Sequence, residues 1–172
     1  MAEHLWRLLR LEPTDGDLWR AYRRVFIETY VRDATGESPL FTDWTGRQVK
    51  FGEGSFKHAF TRNANFRQGL DHSVELDLRR AERMLWIREV LNASAGTLRR
   101  YVEQFKEDGK PKRRRVFYVV EEAYVVVLNE PLDPTEPLQF ASAYPTAGRD
   151  YEREIKRKNG ALLEEKRIKP LP

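Results

Sequence analysis

Arg115-Val116-Phe117-Tyr118-Val119-Val120-Glu121-Glu122-Ala123-Tyr124-Val125-Val126-Val127-Leu128-Asn129 decides how the chain is read. Two runs rich in valine and tyrosine flank a short polar break, which predicts a β-hairpin with strands over 115–120 and 124–129. Three prolines at 131, 134 and 137 mark the loop that follows. A third strand is expected over 138–144. Its alternation puts Phe140, Ser142 and Tyr144 on one face and Gln139, Ala141 and Ala143 on the other.

Upstream of this meander the pattern turns helical. Leu18, Tyr22, Val25, Phe26 and Thr29 form one stripe of a helix over about 17–31, with Arg20, Arg23, Arg24 and Glu28 left wet. A short hairpin is expected over 39–42 and 48–51. A second helix is expected over 74–91, where Val74, Leu78, Ala81 and Leu85 make a stripe widened by Met84, Ile87 and Leu91. An element apolar over so much of its circumference should be covered on two sides. A last helix is expected over 150–158, closed by Asn159-Gly160, and then a charged tail over 162–172 that frays. Helices, an antiparallel meander and a further helix predict an α+β fold: helices packed on a small antiparallel sheet, preceded by an N-terminal helix.

Composition narrows the classes. The 172 residues suffice for one domain, with a net charge of +4 and no cysteine. Disulfides, thiolate metal sites and cysteine nucleophiles are excluded. The segment 1–11 carries Glu3, His4, Arg7 and Arg10, unlike a signal peptide, and no stretch reaches the apolar length of a membrane span. A soluble cytoplasmic protein is expected.

Charge is uneven along the chain. Between Arg99 and Arg115 there are eight Lys or Arg against three acids, a local charge of +5. Gly109 and Pro111 predict a mobile loop at its centre, whose Lys110, Lys112, Arg113, Arg114 and neighbouring Arg115 could track phosphates. A solvated hairpin that shields an edge strand is the plainer alternative. Glu75, Asp77, Glu82 and Glu89 alternate with Arg79, Arg80, Arg83 and Arg88, as ordinary helical ion pairs do. The three histidines lack ligand spacing, so no metal site is expected, and no Gly-rich loop calls for a phosphate cofactor.

What remains is a proton shuttle, cations and hydroxyls: His58 beside Lys57, the arginines, Tyr118, Ser142, Tyr144 and Thr146. One reaction needs only these parts. An RNA 2′-hydroxyl attacks its own adjacent phosphate while the protein supplies a base, an acid and positive charge. Plainer readings stand beside this one. His58 between Phe56 and Phe60 could be a core histidine, Lys57 a surface lysine and Ser142 a small packing residue. Tyr144 could simply end its strand, Tyr118 could be buried with one hydrogen bond, and Arg83 could pair along its helix.

Five segments, Val49-Lys50-Phe51 through Phe56-Lys57-His58-Ala59-Phe60, Arg80-Ala81-Glu82-Arg83-Met84-Leu85-Trp86-Ile87, Arg115-Val116-Phe117-Tyr118, Tyr124-Val125-Val126-Val127-Leu128 and Phe140-Ala141-Ser142-Ala143-Tyr144-Pro145, resemble the phage barnase–EndoU–colicin–RelE-like (BECR-type) nucleases. The resemblance covers about 45–165. It implies a barnase/RelE-like ribonuclease fold and a toxin-like endoribonuclease that cleaves RNA without metal or cofactor. His58 matches the family's helical histidine, Lys57 its basic neighbour and Ser142 the hydroxyl of the late strand, with Arg83 and Tyr118 as further matches. Arg80, Tyr144 and Thr146 join the basic stretch as expected substrate contacts. The implied organisation is an N-terminal helical extension over 1–44, a nuclease domain over 45–165 and a flexible tail over 166–172. The implied partners are RNA, with tRNA one candidate, and an antitoxin or immunity protein. The segment 63–72 has no counterpart in the family pattern. Two rival readings are a non-catalytic nucleic-acid-binding module and a structural or adaptor protein of a phage or mobile element.

Overall fold

The computed structural model describes residues 3–63, 74–146, 150–157 and 160–168. Asp17 starts the first helix, α1 (Leu18–Phe26), by accepting the Arg20 amide at 2.9 Å. The helix loosens into a π-helical turn, Ile27–Val31, and buries Tyr22, Phe26 and Tyr30. Strands β1 (Phe41–Thr42) and β2 (Gln48–Lys50) then form the expected short hairpin. Helix α2 (Ser55–Phe60) follows and buries Phe56, Ala59 and Phe60, leaving Lys57 and His58 exposed.

The expected helix over 74–91 is broken. Val74–Leu76 is strand β4, paired with β3 (Thr61–Asn63) in a two-stranded sheet. Asp77 then caps α3 (Leu78–Ala81), and after a turn α4 (Trp86–Asn92) buries Trp86, Ile87, Val90 and Leu91. Ala81, Met84, Ile87 and Leu91 of the expected stripe are buried, but Leu78 is exposed, and a cap at Asp77 and a strand partner divide the segment. The unassigned insertion falls mostly on 64–73, outside the described residues.

The basic stretch is no mobile loop. It forms a long hairpin, β5 (Gly96–Glu107) against β6 (Lys110–Val119), in unbroken register from Leu98↔Val119 to Glu107↔Lys110. Asp108 (φ 51°) and Gly109 (φ 73°) both turn through the left-handed region, as a tight hairpin turn demands. Strands β7 (Tyr124–Glu130) and β8 (Leu138–Pro145) continue the meander as expected, and α5 (Tyr151–Arg157) comes next. The stretch expected to fray instead becomes β9 (Ala161–Ile168), which pairs along β5.

The main sheet has the order β1-β2-β8-β7-β6-β5-β9, with every described pairing antiparallel except β2 with β8. The expected fold is therefore corrected. Among the described residues a curled, mixed, seven-stranded half-barrel dominates, with five short helices, where helices on a small antiparallel sheet were expected. The difference arises because the basic stretch and the tail contribute strands, and because β2 joins β8 in parallel. One sheet face packs Phe117, Val119, Tyr124, Val126, Leu128 and Phe140 against α1, α2 and α4 in the larger core. The other carries Tyr101, Val116, Tyr118, Val125 and Val127, and α5 covers it with Tyr151 and Ile155.

Candidate functional site

Strand β8 changes neighbours partway along. Of β8, strand β2 pairs with Leu138 and Gln139 alone among the described residues. Past that point α2 lies along β8, and Ser55 Oγ donates to the Phe140 carbonyl at 3.4 Å. Helix α3 packs on both α2 and β8. On the edge away from β7, the second half of β8 thus meets two short helices rather than another strand.

A bulge in β8 sets which side chains face where. Val127 pairs with Ser142 but Leu128 pairs with Phe140, so Phe140 and Ala141 share a position that one partner would fill. Phe140 and Ala143 both enter the larger core, while Ala141 and Tyr144 pack with the second cluster. Simple alternation put Phe140, Ser142 and Tyr144 together; the bulge separates Phe140 from the other two. Ser142 pairs with Val127 and Tyr144 with Val125, both on the face that carries Tyr118.

Arg80 ties these parts together. Its guanidinium lies over the Tyr144 ring, 4.8 Å from the centroid, and donates to the Ala59 carbonyl at 3.2 Å. Asp77, the cap of the same helix, holds it at 3.4 Å. Ala59 is the residue after His58, so Arg80 joins the His58 end of α2 to the Tyr144 end of β8. From Tyr144 the aromatic line continues to Tyr151, at 6.2 Å and edge-on, and from Tyr151 to Tyr118, at 6.1 Å and stacked. Burial pushes the Tyr118 and Tyr151 hydroxyls above their ordinary range, helped by Asp150 at Tyr118 and by Tyr144 at Tyr151. These hydroxyls stay protonated near neutrality and act as donors rather than bases.

Several expected residues lie elsewhere. Arg83 lies over the Trp86 ring at 5.0 Å and donates to the Arg79 carbonyl; burial and Arg79 push its pKa down. Trp86 in turn contacts His4, Trp6 and Tyr124, so Arg83 belongs to the packing of the N-terminal segment. Thr146 is buried and its amide donates to the Ala123 carbonyl at 2.8 Å. Lys110 lies eight residues from Tyr118 on β6, about 26 Å along an extended strand. Lys112 and Arg113 are exposed near the same end, and Arg114 lies over the Phe105 ring at 4.2 Å. Arg115 is buried, bonded to Asp43 at 2.9 Å, Thr45 at 2.7 Å and Glu130 at 3.1 Å, which makes it a structural cation.

Two contributors were not singled out from sequence. Tyr151 links Tyr144 to Tyr118, and its one signal is the Tyr151/Ile155 spacing at the start of the last helix. Arg99 bridges Glu152 of α5 at 2.6 Å and Glu165 of β9 at 3.0 Å, and those carboxylates raise its pKa. Tyr101 also bonds Glu152. Among the described residues no helix is long and apolar enough to cross a membrane. Compared with models of protein families, curated proteins and solved structures, the chain has no match.

Proposed function

We propose that the protein is a toxin-like endoribonuclease that cleaves RNA by attack of a 2′-hydroxyl on the adjacent phosphate, with no metal in the reaction. The observation that carries this reading is Arg80, fixed between the α2 backbone beside His58 and the ring of Tyr144. A histidine open to solvent, a cation whose geometry is set from three sides and neutral hydroxyls on one sheet face are the groups this chemistry needs.

In this reading His58 takes the proton of the 2′-hydroxyl or returns one to the departing 5′-oxygen. Arg80 faces the charge that grows on the phosphorane, and its planar fork suits two phosphoryl oxygens at once. Tyr144, Tyr118 and Ser142 donate hydrogen bonds, and Lys57 adds positive charge beside His58. The substrate brings the nucleophile, so the protein needs none.

The test is incubation of the full chain and of His58→Ala with total RNA in EDTA, followed by mapping of the ends. Products should carry 2′,3′-cyclic phosphate and 5′-hydroxyl termini. The folded variant should lose at least about two orders of magnitude in rate. Cleavage that requires a divalent ion, or that persists at full rate in the variant, rejects the mechanism.

A further inference from the structure

At the opposite end of the same strands lies an open cleft of about 580 Å³. Arg47, Arg100, Lys112, Arg113 and Arg115 line it, against the single carboxylate of Glu130. Glu130 is shared by Arg113 at 3.5 Å and Arg115 at 3.1 Å. Asp43 answers Arg115 from beneath, and Glu164 of β9 pairs with Arg100. Five cations therefore meet three carboxylates, and the cleft keeps a net charge of +2.

Its walls differ in character. The strand side is cationic, while Pro131, the 84% exposed Leu132 and Pro134 form an apolar, proline-stiffened wall. Arg47 braces that loop by donating to the Glu136 carbonyl at 3.1 Å. A groove with charge on one side and an apolar surface on the other matches a nucleotide, which carries a phosphate and a flat base. The register places Glu130 five residues from Val125, the partner of Tyr144, about 17 Å along the strand, and alternation turns Glu130, Arg113 and Arg115 to the opposite face of the sheet from Tyr144. An RNA strand that reaches both sites therefore rounds a sheet edge, which takes several nucleotides more than the distance along the strand.

We infer that this cleft is a second substrate subsite, which holds a phosphodiester of the RNA strand several nucleotides from the bond that is cut. This rests on the ribonuclease reading above, and it makes substrate length a determinant of affinity. Lys112 and Arg113 are the phosphate contacts. Arg115 does not touch RNA; it fixes the floor.

Binding is measured with fully 2′-O-methylated oligoribonucleotides, which keep every phosphate but cannot be cut by 2′-hydroxyl attack. One probe is too short to reach both sites and one is long enough. Lys112→Gln/Arg113→Gln should raise Kd for the long probe at least about tenfold, as loss of two charge-assisted contacts implies. The slope of log K against log salt should fall by about 1.4, at roughly 0.7 per single-strand contact. The short probe should bind unchanged. Lys106→Gln/Arg24→Gln removes the same charge at exposed positions outside the cleft lining and serves as control. Equal weakening by both double variants reduces the effect to diffuse attraction and overturns the subsite, as does an unchanged Kd for the long probe. Tighter binding of poly-glutamate than of the long probe reassigns the cleft to an acidic protein partner and also overturns it. Cleavage of total RNA by the wild-type chain judges the ribonuclease reading separately, because the methylated probes report binding alone.

Discussion

Asp43→Asn tests the most buried ion pair among the described residues. The Asp43 side chain is 0% exposed and that of Arg115 8%, with Oδ2 and Nη1 2.9 Å apart. Oδ1 faces the other way and organises its own turn, accepting from the amides of Thr45 and Arg47 at 2.9 and 3.0 Å and from the Thr45 hydroxyl at 2.6 Å. Asparagine keeps that second oxygen but sets an NH₂ group against the Arg115 guanidinium. The turn survives and the charge pairing does not. Glu130 and Thr45 still reach Arg115, so the guanidinium is not fully orphaned, yet removing one partner of a buried pair costs about 3–5 kcal/mol. At roughly 2–4 °C per kcal/mol for a chain of this size, the midpoint should fall by about 6–20 °C. Urea and thermal unfolding followed by circular dichroism measure it. Adding Arg115→Met to Asp43→Asn should recover part of the loss, because an apolar side chain has no charge left to satisfy. A single variant within about 1 kcal/mol of wild type refutes the reasoning and leaves Arg115 available to a ligand.

Arg80→Ala should lower the rate on RNA while costing about 1 kcal/mol or less in stability, and Arg80→Lys should not restore the rate, since an ammonium cannot present a planar fork over Tyr144. RNA with a single 2′-deoxy substitution at the mapped cut should resist cleavage, and comparable cutting of DNA would reject 2′-hydroxyl attack. Stability should fall at alkaline pH. Burial raises the pKa of Tyr30, Tyr124 and Tyr151 in the native state, so above about pH 10 the unfolded chain binds fewer protons and is favoured. Urea midpoints between pH 8 and 11, with tyrosinate absorbance recorded alongside, check the sign; a midpoint that rises across this window contradicts it.

Local pattern located single elements but not the architecture. Valine-rich runs located β6 and β7, alternation after the proline loop located β8, and the Leu18/Tyr22/Phe26 stripe located α1, because these signals depend on near neighbours. The long β5–β6 hairpin was obscured by its own charge. Asp108-Gly109 is a hairpin signal, but the residues around it read as a solvated linker because both flanking strands run far past the core. Strand β9 alternates nothing that periodicity detects, and its pairing with β5 is a long-range fact. The Arg115 side chain looked like one more cation of a basic run; only the distant turn at Asp43 makes it structural. His58 was singled out without a helix of its own being read around it; it lies exposed on α2, and its link through Arg80 to Tyr144 depends on how α2 replaces a strand beside β8.

The bulge at Ala141 supplies the sharpest separation of fold from site. Because Phe140 and Ala141 together oppose one position of β7, deleting Ala141 leaves the pairings Leu128↔Phe140 and Val127↔Ser142 intact and restores ordinary alternation. Phe140 and Ala143 keep the larger core, and Ser142 and Tyr144 keep the other face. What changes is the local bend and twist, and with them the angle at which Tyr144 meets Arg80. A variant lacking Ala141 should therefore stay within about 2 kcal/mol of wild type, as a surface-lined change without a cavity does, yet lose most of its RNA cleavage. Unfolding midpoints and single-turnover rates on the same preparation separate the two effects. Full activity in the folded deletion variant would mean that the bulge does not aim the site, and that Tyr144 and Ser142 only pack.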